Sequence, residues 1–203
     1  MICFSAMTRV STLHTERTHP VPHLKLIHPD AARGDLKGLY AAVTQTFGAV
    51  PNFVQAMGNS PALLSGFLGL YGGLSKGGID AATAERIALA MSEANSCQYC
   101  VSAHTSLAEG AGLSASEIAA ARHGTSADAH AAAAVRFARS VLDNRGQVTA
   151  GEVDAVRSAG YDDAQIAEII GHVGLNTLLN YFGKASRIDI DFPRAPALGV
   201  AAA

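Results

Sequence analysis

The sequence predicts an all-α fold, a bundle of helices built around a helical hairpin that carries a Cys-x-x-Cys-x-x-x-His motif. Apolar residues recur at helical spacing along most of the chain, and no convincing pair of strands is found. The 203 residues, of which 49% are hydrophobic and 20 are glycine, suit one domain of closely packed helices. We expect a single helical domain over residues 30–192, between an extended or disordered N-terminal arm, 1–29, and a C-terminal arm, 193–203.

Glycine, proline and capping residues delimit the predicted helices. Gly48 ends the first of them, Pro61 suits the first turn of the third, and Asp80 is a predicted N-cap. Capping-box patterns, with serine or threonine followed three residues later by glutamate, begin at Ser114 and Thr149. The predicted helices cover residues 30–47, 62–74, 81–94, 97–109, 114–124, 127–144, 149–160 and 162–182, with a short helical segment after Pro51.

Residues 85–104 gather the reactive side chains of the chain into one short stretch. On a helix, Cys97, Cys100 and His104 project from one face. Residues three apart on a helix have Cβ atoms roughly 5 to 6 Å apart, so the two cysteines can form a disulfide without unfolding it. Asn95 and Ser96 are predicted N-cap residues, which places Cys97 at the positive end of the helix and favours its thiolate.

The preceding helix predicts a partner for His104. If the chain turns near Asn95 into an antiparallel hairpin, Glu85 lies about 16 Å back from the turn and His104 about 12 Å forward, at 1.5 Å per residue. The two side chains are then at similar heights and can meet. A carboxylate that holds an imidazole facing a thiol is the usual arrangement for activating a sulfur nucleophile.

Charge and hydropathy exclude several classes of function. The net charge of −2 and the absence of a lysine and arginine cluster argue against a nucleic-acid partner. No apolar run is long enough to span a membrane, and the first residues are too short and too weakly apolar for a signal peptide. We therefore expect a cytoplasmic protein, in which a close cysteine pair indicates redox or metal chemistry rather than a disulfide framework.

The same motif has two other interpretations. Cys97 and Cys100 could be small buried hydrophobic residues, although their neighbours are polar. With His104 they could also bind a metal, with Glu85, Glu93 or His172 as the fourth ligand. Structural zinc usually recruits a second pair of ligands from another segment, and no second Cys/His pair is evident, so we expect no metal.

Four further polar residues have unsettled roles. Tyr99, between the cysteines, could donate a hydrogen bond to a substrate or pack in the core. His172 and Asn176 are four residues apart on an apolar helix, where a core or subunit-contact role is favoured over an active-site role. Glu93 is expected to be solvated.

The cysteine motif and the residues around it resemble those of a known family. Glu85, the motif from Cys97 to His104 and the following Ala-Gly-Leu-Ser at 111–114 resemble the AhpD-like alkylhydroperoxidase branch of the carboxymuconolactone decarboxylase family. The twelve-residue step from the glutamate to the first cysteine also matches. The runs VPNFVQAM and HVGLNTLLNYFGK are similar to members often called peroxidase-related proteins, so the resemblance covers about residues 50–192.

The resemblance implies an all-helical AhpD-like fold, assembled as a homotrimer or homohexamer, with no haem, flavin or metal cofactor. The implied substrate is a hydroperoxide, and the implied electron donor is an external dithiol. Carried over by position, Cys100 is the peroxidatic thiol, Cys97 the resolving thiol, and Glu85 with His104 the proton relay. The chain has Tyr99 where founding members have a histidine just before the second cysteine.

The sequence thus predicts a peroxidase-type oxidoreductase that reduces organic hydroperoxides through a Cys97/Cys100 dithiol–disulfide cycle. Two alternatives are open. One is a lactone-acid decarboxylase of the same family, which does not need the thiol pair. The other is a non-enzymatic redox sensor, whose disulfide changes a surface that a partner recognises.

Overall fold

Helices make up all the regular structure in the computed structural model, which describes residues 22–199. A 3-10 turn over Pro29–Ala31 comes first. The α-helices of this part of the chain are α1 (Asp35–Phe47), α2 (Asn52–Met57), α3 (Pro61–Leu74), α4 (Ala81–Ala94), α5 (Gln98–Gly110), α6 (Ala115–Arg122), α7 (Ala129–Asp143), α8 (Ala150–Ser158) and α9 (Asp163–Ser186). The all-α prediction is confirmed, and most of the predicted N-terminal arm lies outside the described residues.

Local signals placed several helix ends correctly. Asp80 caps α4 by accepting a hydrogen bond from the backbone N–H of Thr83 at 2.9 Å, and Gly48 ends α1 in the left-handed conformation with φ 78°. The capping box of Thr149 and Glu152 is present in both directions, as predicted.

Other ends differ from the prediction. The first helix starts at Asp35 rather than residue 30, because Gly34 adopts φ 54° and ψ −137° after the 3-10 turn. The last helix continues past residue 182 to Ser186, where Arg187 with φ 54° ends it. Ser114 accepts a hydrogen bond from the N–H of Glu117, but the Glu117 carboxylate binds other residues, so the predicted capping box is only half formed.

The helix α4 lies at the centre of the bundle and packs against α5, α6, α7 and α9. Residues 87–92 of this helix are all buried, including Ile87, Leu89 and Met91, which are fully shielded from solvent. A helix that is apolar all round requires neighbours on every face. Burying these side chains stabilises the bundle by roughly 1.5 to 3 kcal/mol each.

Polar contacts fix the neighbours of α4 in place. Asn180 on α9 donates to Ser92 at 3.2 Å and accepts from Asn95 at 2.9 Å, so α9 lies beside the turn of the hairpin. On the other side, Arg122 of α6 binds Glu93 at 2.8 Å, which corrects the prediction that Glu93 is solvated. These contacts hold the hairpin of α4 and α5 between α6 and α9.

After α9, residues 188–199 form what we call the C-terminal segment, which lies along the first turns of α5. Ala195 is buried, its N–H donates to Ser102, and its carbonyl oxygen accepts from Gln98 at 3.0 Å. Arg122 donates to the carbonyl oxygen of Pro196 at 2.9 Å. The segment therefore covers the end of α5 that carries the cysteines.

None of the helices between residues 22 and 199 combines the length and the hydrophobicity that a membrane-spanning helix requires.

Candidate functional site

Cys97 and Cys100 form a disulfide at the start of α5, with their Cα atoms 5.3 Å apart. Cys97 is itself the N-cap of this helix, and its Sγ accepts from the backbone N–H of Cys100 at 3.3 Å. The prediction that Asn95 or Ser96 provides the cap is wrong. Asn95 ends α4, and Ser96 makes the turn with φ 53°, so the helix begins only after Cys97.

The two sulfur atoms differ in their surroundings. Cys97 is 1% exposed and does not line the cavity described below, whereas Cys100 is 4% exposed and lines that apolar cavity. Gly183 of α9 lies directly behind the pair, where an added Cβ would be 3.2 Å from the Sγ of Cys97. A molecule in the cavity would therefore meet Cys100 first.

His104 and Glu85 meet across the hairpin, as the two-helix geometry predicts. The Nδ1 atom of His104 lies 2.8 Å from Oε2 of Glu85, and both side chains are less than one-fifth exposed. His104 follows Cys100 by one helical turn, and all three residues line the same cavity. The bond at Nδ1 leaves Nε2 of His104 as the ring nitrogen able to exchange a proton with another group.

The cavity has a volume of about 400 Å³ and lies between α3, α4, α5, α9 and the C-terminal segment. Its walls are mostly apolar, and cavities of this size hold organic molecules of moderate size. The aromatic residues that line it are Phe47, Phe53, Phe67, Tyr71, Tyr99 and Phe192.

Tyr99 connects the cysteine pair to the C-terminal segment. Its hydroxyl donates to Oδ1 of Asp191 at 2.7 Å and accepts from the N–H of Phe53 at 3.3 Å. Burial, followed by the hydrogen bond to Asp191, raises the pKa of Tyr99 well above its usual range, so the phenol stays protonated. The hydroxyl is committed to Asp191, which favours a positioning role over hydrogen bonding to a substrate.

His172 and Asn176 also line the cavity, although the sequence favoured a core or subunit contact for both. His172 is 7% exposed, and its Nε2 has no hydrogen-bond partner among the described residues. Burial lowers the pKa of His172, against smaller opposing effects of Glu168 and Glu85. In the sequence, the four-residue spacing of His172 and Asn176 indicates only that both lie on one face of a helix. This spacing does not distinguish a face in the core from a face that lines a cavity.

Asp191 and Phe192 are site residues that the sequence did not single out. Both line the cavity from the C-terminal segment, and the Phe192 ring packs edge-on against Tyr99 with centroids 5.8 Å apart. They are far from the motif along the chain and have no recognisable spacing to it. Only the folded chain places them there.

Metal binding was the weaker interpretation of the motif. In residues 22–199, no group of three or more histidine, cysteine, aspartate or glutamate side chains is arranged to hold a metal ion.

These observations define a class of protein, an all-helical fold with a cysteine pair beside an apolar cavity, and sequence comparison adds a family match for part of the chain. Residues 61–144 match the carboxymuconolactone decarboxylase family. The match covers this segment of the chain, and the chain as a whole has the AhpD-like fold. A comparison with curated proteins gave no match.

Solved structures show the same fold at low sequence identity. An uncharacterized peroxidase-related protein with an alkylhydroperoxidase AhpD core, from Ralstonia eutropha JMP134, is 22% identical with a TM-score of 0.75, over 86% of this chain and 94% of that one. A peroxidase-related protein from Silicibacter sp. TM1040 is 19% identical with a TM-score of 0.72, over 87% and 94%.

A third similar structure has a different description. It is a cysteine-to-alanine variant of the debrominase Bmp8 in complex with 2,3,4-tribromopyrrole, 23% identical with a TM-score of 0.68, over 84% of this chain and 94% of that one. At these identities the likeness shows the fold. The reaction has to be inferred from the site.

Proposed function

We propose that this protein is a thiol-dependent peroxidase that reduces organic hydroperoxides through Cys97 and Cys100. One observation carries the proposal. Cys100 lines an apolar cavity together with the hydrogen-bonded pair of His104 and Glu85, while Cys97 lies behind it within bonding distance. This arrangement combines a nucleophile, a base, a resolving thiol and room for an organic substrate.

In the proposed first step, Nε2 of His104 takes the proton of the reduced Cys100 thiol, while Glu85 holds the ring through Nδ1. The thiolate attacks the terminal oxygen of the hydroperoxide, the O–O bond breaks, and the leaving alkoxide takes up a proton to give an alcohol. Cys100 is left as a sulfenic acid.

In the second step, the Cys97 thiolate attacks the sulfur of the sulfenic acid, and water leaves as the disulfide forms. The N-cap position and the N–H of Cys100 favour the thiolate of Cys97, which suits it both to attack the sulfenic acid and to leave when the disulfide is reduced. An external dithiol then restores both thiols. One cycle converts a hydroperoxide and a dithiol into an alcohol, water and a disulfide.

The roles of the two cysteines follow from access. Helix-end electrostatics alone favours Cys97 as the more acidic thiol, whereas the resemblance assigns the attack on peroxide to Cys100. Cys100 lines the cavity and Cys97 does not, which supports the assignment of the attack on peroxide to Cys100. The proposal includes a homotrimer or homohexamer as the working assembly, on the family resemblance.

The test is to mix the reduced protein with cumene hydroperoxide and to follow free thiols, peptide masses and peroxide, with dithiothreitol added afterwards. We expect the loss of two thiols into the disulfide of Cys97 and Cys100, and then repeated turnover. Cys100→Ser should abolish turnover, and Cys97→Ser, before dithiothreitol is added, should stop after one equivalent with a sulfenic acid at Cys100. Cys3→Ser, outside the described residues, controls for the loss of a thiol.

The other outcomes identify the alternatives. Normal steady-state turnover by Cys100→Ser or Cys97→Ser would contradict the cycle. Stoichiometric oxidation without turnover in the presence of dithiol would indicate a redox sensor. Decarboxylation of a lactone acid that survives the loss of both thiols would indicate the decarboxylase.

A second candidate reaction is reductive debromination of a brominated pyrrole. The likeness to the debrominase Bmp8 and the aromatic lining of the cavity favour it. Such a reaction replaces a carbon–bromine bond by carbon–hydrogen, oxidises the thiol pair to the disulfide and releases bromide. Bromide release from 2,3,4-tribromopyrrole with dithiothreitol present, faster than cumene hydroperoxide reduction, would make it the preferred function.

A further inference from the structure

The charged residues that line the cavity are all acidic. Glu85 and Asp191 contribute carboxylates, and among the described lining residues there is no lysine or arginine. Asp191 lies at an exposed position, whereas Glu85 is largely buried. A negative group brought into this cavity would lose its hydration and meet a negative potential without a cation to bind it.

The two histidines of the cavity do not replace the missing cation. His104 is already bonded to Glu85 through Nδ1. His172 is buried, and the same burial that lowers its pKa disfavours its charged form. Its Nε2 lacks a partner among the described residues, so a neutral imidazole at this position suits a hydrogen bond to an uncharged oxygen.

The apolar walls give the site its main binding surface. Phe53, Phe67, Leu175 and Phe192 lie around a volume of about 400 Å³, far more than hydrogen peroxide fills. A hydrocarbon group would gain binding free energy in proportion to the apolar surface that it buries there. Size and apolarity favour a bulky hydrocarbon, and the acidic lining opposes a carboxylate on it.

We propose that the cavity selects bulky, uncharged hydroperoxides and excludes hydroperoxides that carry a carboxylate. This inference rests on the proposed function and names its substrate class. It also assigns Glu85 a second effect, since the carboxylate that orients His104 repels an anionic substrate.

Binding of unreactive alcohols tests the inference without any turnover. The probes are 4-(2-hydroxypropan-2-yl)benzoic acid, its methyl ester and its primary amide, measured by calorimetry on the disulfide form at pH 7.5. We expect the ester and the amide to bind at least about tenfold more tightly than the acid, a difference of about 1.4 kcal/mol. The amide separates charge from polarity, because it is polar but uncharged. Equal affinities, or no binding of the ester at millimolar concentration, would overturn the inference.

A matched pair of variants tests whether charge is the cause. Ser75 is an exposed lining residue at the C-cap of α3, so Ser75→Lys adds a cation at the cavity and at a favourable helix end. Ser158→Lys adds the same charge at the end of α8, at an exposed position that does not line the cavity. We expect Ser75→Lys to improve binding of the acid severalfold and Ser158→Lys to leave it unchanged. Equal effects of the two variants, or none, would contradict electrostatic exclusion.

The corresponding hydroperoxides separate the inference from the proposed function. If the ester and the acid hydroperoxides are reduced with equal kcat/KM, the peroxidase proposal stands and the selectivity is wrong. If neither is reduced but the ester alcohol binds more tightly than the acid, the peroxidase proposal fails and the cavity still selects uncharged molecules.

Discussion

Cys97 and Cys100 lie only three positions apart, yet they have different chemical environments. Cys97 is the N-cap of α5 and is enclosed, while Cys100 lines the cavity near His104. A reductant that reaches the disulfide through the cavity would attack Cys100 and expel Cys97. The leaving thiolate then lies at the helix N-terminus, where its negative charge is stabilised.

His172 predicts a pH dependence of stability. Burial lowers its pKa in the folded state, while the unfolded chain has a value near 6.5. Below about pH 6.5, His172 binds a proton in the unfolded state but not in the folded state. The free energy of unfolding therefore decreases as the pH decreases. At higher pH the imidazole is neutral in both states and contributes no pH dependence.

The measurement is the free energy of unfolding in denaturant between pH 7.5 and 5. We expect His172 to contribute at most about 1.4 kcal/mol of lost stability for each pH unit below about 6.5, and His172→Gln to remove that contribution. His123→Gln, at an exposed position that does not line the cavity, controls for the loss of an imidazole. An unchanged slope in His172→Gln would show that His172 is protonated equally in both states.

At the scale of elements, α9 contributes both to the cavity wall and to the support of the disulfide. Its earlier turns present His172, Asn176 and Leu179 to the cavity. Gly183, one turn after Leu179, lets the helix backbone approach the two sulfur atoms. Glycine is otherwise unfavourable inside a helix, so close packing explains its presence at this position.

Two glycine-to-alanine variants on α9 test this packing. At Gly183 a Cβ would lie 3.2 Å from the Sγ of Cys97, close enough that the sulfur would have to shift by a few tenths of an ångström, and in ordinary contact with the Phe53 ring at 3.5 Å. We expect Gly183→Ala to destabilise the disulfide form by about 1 to 3 kcal/mol. Gly174 is exposed with no atom near the added Cβ, so Gly174→Ala should stabilise the protein by up to about 1 kcal/mol.

Thermal and denaturant unfolding of both variants, with the disulfide intact, provides the measurement. If both Gly183→Ala and Gly174→Ala increased the stability, α9 would not be tightly packed against the cysteine pair.

At the scale of the whole molecule, the C-terminal segment completes a site whose motif lies in the middle of the chain. Asp191 accepts from the Tyr99 hydroxyl at 2.7 Å and from the N–H of Asn52 at 2.7 Å, so one carboxylate joins α2, α5 and this segment. Phe192 lines the cavity beside it. The segment therefore links the stability of the fold to the enclosure of Cys100.

Asp191→Ala removes both hydrogen bonds and leaves the buried Tyr99 hydroxyl without its acceptor. We expect a loss of about 1 to 3 kcal/mol of stability and faster reaction of the reduced Cys100 with a thiol reagent such as iodoacetamide. Asp154→Ala removes an exposed ion pair with Arg157, whose contribution is at most about 1 kcal/mol, and should leave thiol reactivity unchanged. Equal labelling rates in the two variants would show that the C-terminal segment does not shield Cys100.

Local rules predicted much of this molecule. Capping at Asp80 and Thr149 depends on residues within one turn, and the contact of Glu85 with His104 follows from the rise of two antiparallel helices. The prediction for the start of α5 was wrong because several residues near the turn can cap a helix. In the structure Cys97 is the N-cap.

Long-range contacts were beyond such rules. The positions of His172 and Asp191 depend on how α9 and the C-terminal segment pack against α5, which no spacing in the sequence encodes. An apolar helical face looks the same in sequence whether it faces a packed core or a cavity. The acidic lining could therefore be recognised only after these elements had been placed.

The position of Asp191 and Phe192 late in the chain has a consequence for synthesis. Because the ribosome makes proteins from the N-terminus, both cysteines emerge well before the segment that completes the cavity around Cys100. During that interval Asp191 and Phe192 are not yet present to enclose Cys100.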